Sequence, residues 1–346
     1  MKAYRLTKWG EAGEFQDVPI PEPGQGQTLV RIGGAGACHS DLHLMHEWTP
    51  ETLPAIAEWT LPFTLGHENA GWAEAGDLAG LEPGAPVVIS PTWTCGACRS
   101  CRDGATNYCD QIDVWDGRAG GLGLDGGMAE YMVVPSECLV PLRDLEPWQA
   151  APLTDAGLTS YHAVKRCLPL LTPDVSVVVI GVGGLGHMAV EYLRELCGAR
   201  IIAVDQDEGA LKLAREIGAH LCLPSDDQTA SEIKKASQNL GAMVVLDFVG
   251  ADTTLELAVQ VIRKRGQIVG VGLGGGTLPV QVGATPWGVS VVTTLGGSTS
   301  ELVEAVALAE AGRIESKLEK FPLDDVAEVY KKLEANEITG RAVLIP

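Results

Sequence analysis

The chain has 346 residues, 46% of them hydrophobic, with 42 glycines and a formal charge of −20 from 25 Lys+Arg against 45 Asp+Glu. That length allows two domains with separate cores, and the composition excludes a disordered chain and suits an α/β protein rich in tight turns. The negative charge repels phosphate polymers and anionic lipid, so no nucleic-acid or membrane partner is expected; no apolar run of about 18 residues occurs and the first residues lack a signal-peptide h-region, so a cytoplasmic location is expected.

In chain order, residues 28–32, 86–89 and 130–134 are short β-like runs separated by glycine and proline, the pattern of an irregular antiparallel region. Within this half, Cys38 opens Cys-His-Ser-Asp-Leu-His, His67 and Glu68 stand in Leu-Gly-His-Glu-Asn-Ala-Gly, and Asp155 ends Pro-Leu-Thr-Asp. One thiolate, one imidazole and one carboxylate make an open three-ligand metal site. Taken singly, each is as well read as a buried thiol, a satisfied histidine or the cap of a helix over 156–167. The stronger signal is Cys95, Cys98, Cys101 and Cys109, in the run Cys-x2-Cys-x2-Cys-x7-Cys, inside a lobe spanning about 93–112. That spacing lets one polar, glycine-containing loop wrap four thiolates around Zn2+, and a closed shell leaves no position for substrate, so this zinc is structural. Two disulfides, four unrelated thiols or an iron–sulfur cluster are the competing readings; the disulfides need an oxidising compartment that nothing else here indicates.

After about residue 155 the pattern alternates. Residues 175–180 are a continuous apolar run, 185–196 carry helical spacing, and 200–204 are a second buried strand, together a βαβ unit. Strands over 243–246, 267–271 and 289–295, with helices over 252–263 and 300–311, predict a doubly wound parallel sheet. Between the first strand and its helix lies Gly181-Val-Gly183-Gly184-Leu185-Gly186, followed nineteen residues later by Asp205 at the end of the second strand. In that context the three spaced glycines supply a tight turn, an approach for a pyrophosphate and close helix–strand packing, while Asp205 accepts ribose hydroxyls and repels a 2′-phosphate. NAD is therefore expected over NADP. Gly250, Val271 and Gly272 follow strands of the same sheet, where backbone faces the dinucleotide.

The segments 33–43 (GGAGACHSDLH), 66–71 (GHENAG), 126–131 (GGMAEY) and 151–162 (APLTDAGLTSYH), with the four-cysteine lobe and residues 181–186, resemble the zinc-dependent medium-chain dehydrogenase/reductase family. The nearest resemblance is to its bacterial NAD-dependent secondary alcohol dehydrogenases. It implies a Rossmann domain (156–294) inserted in a GroES-like, mainly β catalytic domain (1–155 and 295–346), two zinc ions per chain, and NAD. Cys38, His67 and Asp155 then fall on the catalytic zinc positions and Glu68 on the neighbouring acid able to approach the metal; many relatives have cysteine where this chain has Asp155. Ser40 matches the acceptor of the alcohol proton, and His43 the group that passes it outward through the cofactor ribose. His39 falls near the pyrophosphate, and Arg341 on an arginine reaching the cofactor phosphates.

The stretches 45–62 and 114–124 depart from the family pattern. A zinc-free quinone or enoyl reductase would lack both cysteine sets, and a non-catalytic NAD sensor would not need Cys38, Ser40, His67 and Asp155 together. Polyol, amino-alcohol or threonine dehydrogenases remain the alternatives to a secondary alcohol dehydrogenase. Leu295-Gly296-Gly297-Ser298 removes side-chain volume where relatives place a pocket wall, so cyclic or aryl-alkyl ketones are expected as substrates, with Trp48, Trp59, Trp115 and Trp287 as candidate walls. The family pattern and the apolar run 289–295 imply a homotetramer, otherwise a homodimer.

Overall fold

Along the strand Gln27–Ala37 the first residues alternate between half-buried and buried, and from Ile32 onward every residue is buried. The change follows composition. The end of the strand is Gly and Ala, which let neighbouring strands and helices close over both faces. In the computed structural model, which describes residues 1–111, 119–278 and 280–346, this strand is central to a seven-stranded sheet. The order is Leu139–Pro141, Ala85–Ile89, Glu68–Gly76, Gln27–Ala37, Arg341–Ile345 and Leu318–Pro322, with Tyr131–Pro135 also paired to Gln27–Ala37. A smaller sheet, Glu14–Asp17, Lys2–Leu6 and Phe63–Thr64, contributes Tyr4, Leu6 and Phe63 to the same core as Val30, Met128, Tyr330 and Leu344. Residues Met1–Leu158, Gly297–Gly312 and Ser316–Pro346 form this unit.

Thr159–Gly296 and Arg313–Glu315 form the second. Its six strands are parallel, in the order Leu221–Pro224, Arg200–Asp205, Ser176–Ile180, Ala242–Asp247, Ile262–Gly270 and Ser290–Thr293. Ser176–Ile180 is buried at every position, as a central strand covered on both faces must be. The helix Gly186–Leu196 follows it, and the sheet reverses its winding between Ser176–Ile180 and Ala242–Asp247.

The predicted α/β class and parallel sheet are present, with ends shifted by a few residues. The strand Leu221–Pro224 was not readable, being four half-buried or exposed residues without a β-branched side chain. The helix Thr299–Glu310 starts where Ser298 accepts the N–H of Glu301, and it lies in the first unit. Trp115 lies outside the described residues. Among those described, no helix is long and apolar enough to cross a membrane.

Candidate functional site

Cys38 leaves the strand Gln27–Ala37 in extended conformation and caps the helix His39–His46; its N–H donates to Asp41 Oδ2 at 3.0 Å. His67 immediately precedes the strand Glu68–Gly76 beside it, and Asp155 ends the short turn Ala151–Thr154. Residues separated by up to 117 positions thus converge: Cys38 Sγ stands 3.7 Å from Asp155 Oδ2, and His67 Nε2 stands 3.4 Å from the same oxygen. The ligand atoms of all three lie within 4.8 Å of one another. His67 is 4% exposed, and its Nδ1 faces Asp41 Oδ1 at 3.3 Å. Burial lowers the imidazole pKa, but Asp41 and the contact with Asp155 outweigh it and hold His67 well above its ordinary value. Protons and a cation therefore compete for this pocket. A carboxylate on the far nitrogen of a ligating histidine is the usual orienting partner of a metal site, so the residues present fit zinc. Sequence reasoning missed Asp41; its signal was the three-residue spacing from Cys38, that of a helix cap and its N3 acid.

Ser40 Oγ lies 3.6 Å from Cys38 Sγ. One turn on, the His43 ring stacks on Trp48 at 4.9 Å, and its Nδ1 is 2.7 Å from Glu47 Oε2. Glu47 was also not anticipated. His39 is exposed on the same helix. Glu68 and Arg341 form a buried pair. Glu68 is fully buried, and its Oε1 accepts from Arg341 Nη2 at 2.5 Å and from the N–H of Ala156 at 3.2 Å. Burial pushes its carboxyl up to about 7, with Arg341 pulling the other way. Arg341, expected at the cofactor phosphates, is 2% exposed and pairs with Glu68 through one guanidinium nitrogen, Nη2.

The four cysteines of the lobe are likewise assembled, with all four sulfurs within 4.8 Å of one another. Cys109 Sγ is 3.5 Å from Cys95 Sγ and 3.9 Å from Cys98 Sγ. A tetrahedron of Zn–S bonds ~2.3 Å long has edges of about 3.8 Å, while a disulfide needs ~2.05 Å, so the geometry fits zinc and excludes bridges. Backbone N–H groups of Ala97 and Cys98 point at Cys95 Sγ and pull its thiol down to about 6.

In the second unit, Gly181 has φ +79°, and a Cβ on Gly186 would lie 1.9 Å from Gly181 O. Position 183 has no neighbour within 4 Å of where a Cβ would stand, leaving the loop open to an approaching anion. Gly184 and Leu185 complete the turn into the helix. Asp205 Oδ2 accepts the N–H of Val182 at 2.7 Å and Oδ1 that of Asp207 at 3.0 Å, so the acid also anchors the glycine loop. Gly250 and Gly272 pack backbone to backbone, and the N–H groups of Val271 and Gly272 donate to Asp247 O. These residues fit a dinucleotide.

The stretch 296–297, expected to leave an open wall, has local reasons for glycine. A Cβ on Gly297 would meet Leu158 Cδ1 at 2.5 Å, so packing calls for glycine there, and Gly296 has φ +52°, a conformation that favours glycine. Of the remaining tryptophans, Trp59 packs on Phe63 and Trp9, and Trp287 is 64% exposed.

Residues 24–144 match the alcohol dehydrogenase GroES-like domain, and residues 184–311 match the zinc-binding dehydrogenase family. An NAD-dependent alcohol dehydrogenase of Sulfurisphaera tokodaii is 37% identical over 355 residues, covering 100% of each chain. A D-arabinose 1-dehydrogenase (NADP(+)) of Saccharolobus solfataricus is 35% identical over 351 residues, covering 100% of this chain and 97% of its own. The crystal structure of an alcohol dehydrogenase from Aeropyrum pernix matches with a TM-score of 0.91 at 36% identity, covering 100% of both chains.

Proposed function

Because the chain belongs to the family of zinc-binding, GroES-like alcohol dehydrogenases, we propose that Cys38, His67 and Asp155 hold its catalytic zinc and that Ser40 and His43 carry the substrate proton away. The protein is an NAD-dependent zinc alcohol dehydrogenase. The observation that carries the site assignment is the convergence of one thiolate, one imidazole and one carboxylate within 4.8 Å. When bound, zinc supplies Lewis acidity toward an alcohol or carbonyl oxygen, and NAD supplies a hydride acceptor.

The chain's own residues do the rest. The thiolate of Cys38 and the carboxylate of Asp155 neutralise the charge of a divalent ion, and Asp41 fixes the His67 ring. Ser40 Oγ takes the alcohol proton and His43 passes it on, with Glu47 Oε2 able to share it at Nδ1. Asp205 selects NAD by accepting ribose hydroxyls. His39 and Gly250 border the cofactor in this reading, and Cys95, Cys98, Cys101 and Cys109 hold the structural zinc.

For substrate, the reading is a secondary alcohol or ketone with a cyclic or aryl-alkyl group. Its support is the flat apolar face of Trp48 against the relay histidine. A polyol or sugar is the second reading, favoured by the relative that acts on D-arabinose. NADH formation across cyclic, aryl-alkyl, polyol and sugar substrates separates them; a specificity constant highest on the sugars would reverse the order. The protein is a homotetramer, otherwise a homodimer, in this account. The edge strand Ser290–Thr293, with exposed Val291 and nearby Trp287, supports pairing across a two-fold axis.

A further inference from the structure

Asp247 is an acid with 0% exposure, and a buried carboxylate is tolerated only when its oxygens find donors. It ends the strand Ala242–Asp247 in register with Ile180, the last residue before the glycine loop, where the sheet reverses its winding. Its Oδ1 accepts the N–H groups of Val249 at 2.9 Å and Gly250 at 3.1 Å, and its Oδ2 accepts the Thr254 hydroxyl at 2.9 Å. The side chain thus folds the chain that follows its own strand into a tight turn. Its carbonyl oxygen serves the neighbouring strand Ile262–Gly270, accepting the N–H groups of Val271 at 2.9 Å and Gly272 at 3.1 Å.

The two turns are fastened together. Gly274 N–H donates to Val249 O at 3.0 Å, Gly276 N–H to Gly250 O at 2.8 Å, and Thr277 N–H to Asp252 Oδ1 at 2.8 Å. A Cβ on Gly272 would stand 2.3 Å from Val249 C, and one on Gly276 2.5 Å from Ala251 C, so backbone closes on backbone with no side chain between. Val249 joins the pair to the phosphate loop: its Cγ2 lies 2.6 Å from where a Cβ on Gly181 would stand.

We propose that Asp247 is a positioning residue for the nicotinamide half of the cofactor: its carboxylate and carbonyl together set the backbone of 248–250 and 271–277 as one platform. This rests on the reading of the parallel sheet as the NAD site. In a sheet with this strand order each half takes one mononucleotide. Asp205, at the end of Arg200–Asp205, marks the half that takes adenosine, which leaves the half opened by Ala242–Asp247 to nicotinamide. Without the carboxylate, the N–H groups of Val249 and Gly250 lose their acceptor, and the turn must rearrange to satisfy them. The phosphate loop, held separately by Asp205 through Val182 N–H, keeps its own anchor.

The experiment measures, on the purified protein, the dissociation constant of NADH by its fluorescence and that of ADP-ribose, which lacks the nicotinamide ring, by calorimetry. Asp247→Ala should weaken NADH binding about tenfold and leave ADP-ribose within about twofold of wild type. Asp247→Asn keeps an oxygen for both N–H groups, while its amide can donate to Thr254 Oγ, so it should hold NADH within about threefold of wild type. Equal weakening of the two ligands in Asp247→Ala would make Asp247 a general support of the sheet and overturn the proposal. Unaltered NADH binding by folded Asp247→Ala would also overturn it. Where Asp247→Ala does not fold, Thr254→Val, which removes the hydroxyl bonded to Oδ2, should weaken NADH about threefold and spare ADP-ribose; unaltered NADH binding there would overturn the proposal. Wild type that binds neither ligand would remove the cofactor assignment itself. Wild type that binds both, with constants unmoved by the variants, would remove only the role of Asp247.

Discussion

Asp205 is expected to do two things that one substitution would confound. It accepts the N–H groups of Val182 and Asp207, and in the proposed reading its charge faces the adenosine ribose. A 2′-phosphate brought to ~4.5 Å would meet repulsion of roughly 3.7 kcal/mol per unit charge at an effective dielectric of ~20. The carboxylate is half-buried, and screening by solvent about halves this, leaving ~2 kcal/mol or about thirtyfold in specificity constant. Asp205→Asn removes the charge but keeps a carbonyl oxygen for Val182 N–H. Asp205→Gly removes both, and a hydrogen bond to a charged acceptor contributes ~1.5–3 kcal/mol. Steady-state kcat/KM with NAD and NADP should show Asn shifting the ratio toward NADP by about thirtyfold with NAD activity largely kept. Gly should shift the ratio similarly while lowering activity with both cofactors. An unchanged ratio in Asp205→Asn, or wild type that prefers NADP, would refute the electrostatic reasoning.

Cys98→Ser should lose one zinc per chain and melt well below wild type, whereas Asp155→Ala should stay folded with catalytic metal weakened; equal melting with full zinc in Cys98→Ser would sink the structural assignment. Glu191, on the helix Gly186–Leu196, has its carboxyl pushed up by burial to about 7 from 4.5. The native state then keeps a proton that the unfolded state has lost between those values, so stability contributed by this group falls as pH rises through that window and is flat above it. Melting of Glu191→Gln against pH should lack that slope and exceed wild type above pH 7; a parallel profile would exclude Glu191 as the cause. Val291→Lys, on the edge strand, should lower the oligomeric state seen in sedimentation, and a wild-type monomer at micromolar concentration would contradict the assembly proposed here.

The second unit was legible because its strands are continuous apolar runs and its glycine loop sits between a strand and a helix, all within thirty or so residues. The cysteine lobe was legible for the same reason of short spacing. Cys38, His67 and Asp155 were assembled in advance mainly through family resemblance, since periodicity says nothing of which distant turns meet. The pairing of Arg341 with Glu68 was not legible because the two are 273 positions apart and buried. The role of Gly297 was not legible because an absent side chain looks alike whether it makes room for a ligand or for Leu158. Asp41 and Glu47 escaped because a carboxylate on a helix is ordinarily a solvated charge, and only contact with an imidazole marks either as more.

The most direct test joins metal content to turnover in one preparation. Zinc per chain and NADH formation from a secondary alcohol should be measured on wild type and on Cys38→Ala. The account predicts two zinc ions and alcohol-dependent NAD reduction in wild type, with one zinc, an intact fold and no measurable turnover in Cys38→Ala. Undiminished alcohol oxidation by protein that holds only the cysteine-lobe zinc would contradict it.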